Sequence, residues 1–311
     1  MQILVTGVTG YVGSELVPRL KRDGHALRGF ARAASQVSAP VDETIQGDAI
    51  SGVGLDRALA GIEVAYYLIH SMQRARTGAT DPAVTFDVLE RTAAENFAAA
   101  AERAGVRRVV YLGGLVPQGV VPSRHLRSRL AVEEIMLSAA PEAIALRASI
   151  LIAARSRSFR FLVRLIERLP VLALPSWRDR RTRPIDGRDA LEFLARSATI
   201  DAAQSGRSWD IAGPDELSYS DMVRRIADVM LVDRPSVGIN LSLTPVASAV
   251  AAAIAGEDPG LIEPLMESLE HDLLPRHEDA ARNFEIRPRR FDAAVERALR
   301  EWEGEEQLAA R

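Results

Sequence analysis

The feature that most constrains this chain is its opening. A short apolar run, Ile3-Leu4-Val5, passes through Thr6 into Gly7-Val8-Thr9-Gly10-Tyr11-Val12-Gly13, three glycines spaced by three. Residues 12–21 then show helical spacing of apolar positions, with Gly24 as a stop. A buried strand, a tight turn and a helix are the natural reading. Glycine is needed where the turn closes, where a ligand must approach backbone N–H groups, and where helix and strand pack closely. The helix N-terminus then faces an anion, so the run predicts a site for the pyrophosphate of a dinucleotide. Thr6, Gly7, Thr9, Gly10, Tyr11, Val12 and Gly13 are its candidate residues.

Composition narrows the chemistry. The chain has 311 residues and no cysteine, which excludes thiol nucleophiles, disulfides and cysteine-ligated metals. Of its 39 basic residues only Lys21 is lysine, so a Walker loop or Schiff-base enzyme would have to use that residue. Its surroundings, Arg19-Leu20-Lys21-Arg22-Asp23-Gly24, read as the polar end of a helix instead. No metal site is expected. A net charge of −3 argues against a general nucleic-acid binder. The longest apolar stretch, residues 246–256, is too short to span a bilayer. No signal peptide precedes the first strand, so a soluble cytoplasmic protein without membrane insertion is the expectation.

Strand and helix alternate through the first half. Strands are expected at 2–6, 26–31, 43–46, 64–69, 108–112 and 143–146, with helices at 81–104 (Pro82 in the first turn) and 124–138. This rhythm predicts a parallel sheet covered on both faces. Past residue 150 helices dominate: 159–169, 187–199, 219–230, 245–254 and 260–273. An isolated strand is expected at 209–212, and residues 304–311 are expected to fray. The fold class is α/β, a Rossmann doubly wound parallel sheet with a smaller, mainly helical C-terminal substrate lobe. Its domains are 1–155, the dinucleotide-binding part, and 156–311, the lid, interleaved over about 183–213.

The second strand bears on which dinucleotide binds. An NAD site places Asp or Glu about twenty residues past the glycines, on the ribose 2′-hydroxyl. Here Leu27-Arg28-Gly29-Phe30-Ala31-Arg32 contains no acid, and none follows until Asp42. Arg32 stands where a guanidinium pairs with a 2′-phosphate, so NADPH is the expected cofactor. Asp48, after the third strand, has two readings: a contact to the adenine amino group, or a cap on the next helix. His70 and Ser71 follow the fourth strand, beside the cofactor, although a loop histidine is an equal alternative for His70.

At this point the chain resembles the extended and atypical branch of the short-chain dehydrogenase/reductase superfamily. Thr6–Gly13 matches its TGxxGxxG pattern and Asp48 its adenine-contacting acid. Tyr66-Tyr67-Leu68-Ile69-His70-Ser71-Met72, Tyr111-Leu112-Gly113-Gly114-Leu115, His125-Leu126-Arg127-Ser128-Arg129 and later motifs are similar to nucleoside-diphosphate-sugar epimerase-like, NmrA-like and complex I accessory-subunit members. The resemblance implies nicotinamide chemistry, with the backbone near Ile150 and Ile152 holding the carboxamide. It also implies a Tyr-x-x-x-Lys pair and a serine, and all three are missing. His125 and Arg129 stand at the matching positions, four apart on one helix face, and Gly113-Gly114 replaces the serine, which would leave room for a bulky substrate. A histidine, with an ordinary pKa of about 6.5, exchanges protons at neutral pH more readily than a phenol. The alternatives are that His125 is an exposed first-turn residue and that substrate or water supplies the proton.

The expected activity is NADPH-dependent reduction of a ketone, or another polarised double bond, of a fairly large hydrophobic small molecule, such as a secondary metabolite. The alternative is a non-catalytic NADP(H)-binding sensor or assembly module. Residues 171–174 and Trp177 are expected to line the substrate pocket. The arginines of 178–183 read either as an anion site or as a solvated loop. Oligomeric state stays open.

Overall fold

The computed structural model describes residues 1–70, 86–174, 176–238, 269–306 and 308. Ser71, Pro82 and the helices expected over 245–254 and 260–268 lie outside the described residues.

The first strand, β1 (Gln2–Thr6), buries Ile3, Leu4 and Val5 completely, as a strand covered on both faces must. It is followed by α1 (Tyr11–Arg22), β2 (Ala26–Ala31), β3 (Glu43–Gln46), the short α2 (Leu55–Leu59) and β4 (Val64–Tyr67). Then come α3 (Phe86–Arg103), β5 (Arg108–Gly114), α4 (Arg124–Ser138) and β6 (Ile144–Ala148). In the second half β7 (Leu151–Ile152), α5 (Arg157–Arg168), β8 (Leu172–Leu174), β9 (Arg181–Thr182) and β10 (Ile185–Asp186) lead to α6 (Gly187–Ser197). β11 (Arg207–Ile211), β12 (Leu217–Ser218), α7 (Tyr219–Val229), β13 (Ser236–Gly238) and helices at Ala280–Asn283 and Phe291–Glu303 complete the described elements.

Seven strands form one sheet in the order β11-β6-β5-β4-β1-β2-β3. The pairs β1–β2, β2–β3, β1–β4 and β4–β5 are all parallel. Strand order reverses between β1 and β4, and that switch point at the carboxyl edge is where this architecture binds ligands. Two expectations are corrected. The fourth strand ends at Tyr67 and not at 69. The strand at Trp209 is not isolated: it is the outer strand of the main sheet, beside β6.

The chain divides into two compact units of similar size. One comprises Met1–Gly114, Arg127–Arg147 and Leu191–Trp209; the other comprises Leu115–Leu126, Ala148–Ala190 and Asp210–Arg311. The division falls at Arg147, where the sequence suggests 155, and the returning segment is 191–209, where it suggests 183–213. In the first unit α2, α3 and α4 pack on one sheet face through Leu55, Leu59, Ala93, Phe97, Ala101, Val132 and Met136. Two buried polar groups are satisfied by the returning segment. The Tyr66 hydroxyl donates to the Leu194 carbonyl at 2.8 Å, and the Arg108 guanidinium donates to the Ser197 carbonyl at 2.9 Å while also gripping Glu142. Buried donors without such acceptors would be costly.

The second unit has its own core, containing Phe159, Phe161, Trp177, Tyr219, Phe291 and Trp302. Within it Arg297 meets the buried Asp186 carboxylate two-to-two, at 2.6 and 2.9 Å. No helix among the described residues is long and apolar enough to cross a membrane.

Candidate active site

The glycine turn is held by Thr6. Its hydroxyl donates to the Tyr66 carbonyl at 2.9 Å and accepts from the Leu68 N–H at 3.0 Å, tying the end of β1 to the end of β4. The Thr6 side chain is thus used inside the fold. Gly7 has φ 63°, and a Cβ there would lie 2.5 Å from the Leu68 carbonyl oxygen. A Cβ on Gly13 would overlap the Gly7 carbonyl. Both glycines are therefore required by backbone contact. Gly10 precedes the helix in extended conformation, its N–H bonded to the Gly7 carbonyl at 2.9 Å. The first turn of α1 carries no acid, and its last turn carries Arg19, Lys21 and Arg22. Tyr11, Val12 and Gly13 hold first-turn N–H groups that have no acceptor inside a helix, and the end is electrostatically positive. Such a cradle fits the pyrophosphate of a dinucleotide.

Arg32 follows β2 by one residue, is exposed, and makes no ion pair among the described residues. The next acid along the sequence, Asp42, is held at the opposite end of β2, where it accepts from the Leu27 N–H and from Lys21 at 2.7 Å each. It cannot serve the ribose at the carboxyl edge. Asp48 accepts from the Ile50 N–H at 2.8 Å, so one oxygen closes a local turn. The next helix, α2, is preceded by Gly54 and has no side-chain cap, so Asp48 does not cap it.

Past the ends of β4 and β5 lies a polar cluster that the sequence reading did not assemble. His70 Nδ1 is 2.6 Å from Glu90 Oε1, and Ser128 Oγ donates to Glu90 Oε2 at 2.7 Å. Arg129 reaches the same place: it donates to the Leu112 carbonyl, lies 5.0 Å from the Tyr111 ring centre, and brings one nitrogen to 3.2 Å from His70 Nδ1. Glu90 is only 3% exposed. Burial pushes its carboxyl up, but His70, Arg129 and Ser128 pull it further down, so it is held ionised below the usual carboxylate range. Beside it, burial pushes the phenols of Tyr67 and Tyr111 well above their ordinary range, so both stay protonated. A tyrosine base of the kind used in sugar epimerisation is not available from either.

Glu90 and Ser128 are residues that sequence reasoning missed. The signal for Glu90 is its register: it shares the buried face of α3 with Ala93, Ala94, Phe97, Ala100 and Ala101. A carboxylate on such a stripe needs partners.

The other expected residues fall as follows. His125 is the second residue of α4, whose first turn is capped by Ser123, the Oγ of which accepts from the Leu126 N–H at 3.3 Å. His125 is buried, not the exposed first-turn residue of the alternative reading. Ile152 is fully buried in the second unit's core, and the Ile150 carbonyl accepts from the Ile185 N–H at 3.0 Å, because β7 pairs with β10. The room expected at Gly113 is taken by the Tyr111 ring, 3.0 Å from where a Cβ would be. In the second unit Arg181 pairs with Glu216 and Arg183 with Glu278, so these arginines are engaged in ion pairs. Leu172 and Leu174 line a cavity of about 570 Å³ with Val223, Ala227, Leu231 and Pro235, whereas Trp177 packs edge-on against Tyr219 in the core. Among the described residues no cluster of metal-ligating side chains occurs.

Comparison with known proteins agrees with the cradle. Residues 7–150 match the family described as NAD(P)H-binding. Over 115 residues the chain is 36% identical to a 3-beta-hydroxysteroid dehydrogenase of Mycolicibacterium neoaurum, a stretch covering 35% of this chain and 31% of that protein. The match thus spans about a third of that relative's length. Over 237 residues it is 24% identical to the mitochondrial NADH dehydrogenase (ubiquinone) 1 alpha subcomplex subunit 9 of Arabidopsis thaliana, covering 73% of this chain and 57% of that one. In structure it is similar to the UDP-glucose 4-epimerase of Thermus thermophilus solved with NAD, with a TM-score of 0.71 at 15% identity, covering 98% of this chain and 100% of that one. Residues 7–150, a little under half of the chain, are thus similar to the NAD(P)H-binding family, and they lie on a Rossmann sheet.

Proposed function

We propose that this protein is an NADPH-dependent reductase that delivers hydride to a ketone, or another polarised double bond, of a fairly large hydrophobic small molecule. The observation that carries the cofactor choice is the carboxyl end of β2: an exposed Arg32 and no carboxylate, with Asp42 committed to the other end. A guanidinium there pairs with a 2′-phosphate, while a ribose 2′-hydroxyl would want an acid. The reduced nicotinamide supplies the hydride when bound. The first-turn N–H groups of α1 hold the pyrophosphate, Arg32 the 2′-phosphate, and the ends of β4 and β5 flank the reacting carbonyl. The name of the steroid dehydrogenase relative supports a polycyclic ketone as one substrate class.

The test is NADPH oxidation across a panel of steroid ketones, quinones and enones, run beside NADPH binding. Turnover of one carbonyl compound is the expected result. Tight NADPH binding with no turnover of any compound would favour a second reading, a non-catalytic NADP(H)-binding module. Two observations favour that reading. The chain lacks the Tyr-x-x-x-Lys pair, and over 237 residues it is similar to a protein named as a subunit of an NADH dehydrogenase subcomplex.

A further inference from the structure

We propose that His70, held by the buried Glu90, is the residue that passes the proton to the substrate oxygen, with Glu90 as its positioning residue; the assignment rests on the reductase reading above. His70 follows β4, the strand beside β1, three residues past its end. Leu68, two residues earlier, touches the glycine turn itself through the Gly7 contact and the Thr6 bond. Arg32 and Asp48 follow β2 and β3, so the adenosine half of a dinucleotide lies on that side of the switch point. The nicotinamide half is left for the ends of β4 and β5. His70 is on that side, joined to the end of β5 by Arg129, which bonds the Leu112 carbonyl.

The dyad fixes the histidine tautomer. An ionised carboxylate only accepts hydrogen bonds, so Nδ1 at 2.6 Å from Glu90 must carry a proton. Arg129 cannot donate to the same nitrogen, and at 3.2 Å it acts there as a neighbouring charge. With Nδ1 committed, Nε2 is the nitrogen that exchanges protons. Glu90's second oxygen is held by Ser128, so the carboxylate cannot swing away. Burying that charge on an alanine-rich helix face is expensive, and an apolar residue would pack there without partners. The arrangement has the logic of a base-orienting carboxylate in a hydrolase triad, applied to proton donation.

The step balances. The carbonyl carbon takes hydride from the reduced nicotinamide, and the C=O π pair moves onto oxygen. That oxygen takes the Nε2 proton of the His70 imidazolium, giving an alcohol, NADP⁺ and a neutral imidazole that water reprotonates. Among the charged groups facing His70, Glu90 from α3 favours the imidazolium and Arg129 from α4 opposes it. Tyr67 and Tyr111, from β4 and β5, stay neutral nearby.

The experiment measures kcat against pH for the full chain with saturating NADPH and the fastest carbonyl substrate of the panel, together with NADPH affinity by fluorescence. His70→Gln should lower kcat by roughly a hundredfold, within the usual range for a lost general acid, and leave NADPH affinity within about threefold. In Glu90→Gln the alkaline limb of the profile should move to lower pH, because the charge that favours the imidazolium is gone. If that variant does not fold, Ser128→Ala loosens the same carboxylate and should move the limb the same way by less. Unchanged kcat in His70→Gln, or an unmoved limb in every folded variant of Glu90 and Ser128, overturns the assignment alone. A loss confined to His125→Gln does the same. No turnover by the wild type removes the reductase reading and this assignment together.

Discussion

Gly13→Ala separates the packing of the cradle from its binding function. Gly13 is the third residue of α1, with a negative φ, so alanine suits its backbone and would gain about 1 kcal/mol in helix propensity. The added Cβ would nevertheless overlap the Gly7 carbonyl oxygen, and lie 2.8 Å from the Gly7 carbonyl carbon and 2.9 Å from Val8 Cα. All three are backbone atoms of the turn, with no flexible side chain to yield. Carbon contacts settle at roughly 3.5–4.0 Å, so α1 must back away from β1 by about 0.6 Å or more. Overpacking of this kind costs about 1–3 kcal/mol, which the propensity gain partly offsets. The net change in stability is therefore modest, a few degrees in Tm at about 2–4 °C per kcal/mol. Binding suffers more, because the displaced N–H groups are those that face the phosphates. Losing one charge-assisted bond of about 1.5–3 kcal/mol weakens NADPH about ten- to 150-fold. Fluorescence titration beside a thermal melt reads both quantities. A Gly13→Ala protein that binds NADPH within twofold of wild type would refute the claim that close approach of helix and strand builds this site.

Arg32→Ala should weaken NADPH by about tenfold or more through loss of a charge-assisted pair and leave NADH affinity unchanged; equal effects on both cofactors would remove Arg32 from the 2′-phosphate. Tyr66→Phe strips the Leu194 carbonyl of its buried donor and should cost about 1–3 kcal/mol in urea unfolding, an expectation that a change below about 0.3 kcal/mol would contradict. Glu90 gives the fold an acid-sensitive component. Its carboxyl is depressed in the fold and returns to about 4.3 in the unfolded chain, so the unfolded state takes up the proton first. The stabilisation is fully present above that unfolded value and is lost as pH falls through the folded one. The Tm of Glu90→Gln should fall less steeply below about pH 4.3 than that of wild type, and parallel curves would show that the carboxylate is not held as described.

What the sequence made legible was local. The run from Ile3 to Gly13 declares strand, turn and helix because each residue type is tied to a backbone need within a few positions. β11 is different: Trp209 and its neighbours look alone because their partner, β6, lies some sixty residues earlier and leaves no mark on adjacent positions. The polar cluster hides for the same reason. His70, Glu90 and Ser128 are separated by 20 and 38 positions, and only the packing of α3 and α4 brings them together. Gly113 shows the reverse error: a glycine that reads as room for a ligand is occupied by the ring two residues before it.

The return of residues 191–209 to the first unit has a consequence for synthesis on the ribosome. When β6 emerges, its outer edge is unpaired, and it stays so until β11 follows about 60 residues later, on the order of 3–12 s at ~5–20 residues per second. For that interval the nascent chain offers an open edge strand, and Tyr66 and Arg108 wait for the carbonyls of Leu194 and Ser197. The dinucleotide-binding unit therefore cannot be completed from its own first 147 residues, and a fragment cut there would be a client for chaperones and a seed for edge-to-edge aggregation.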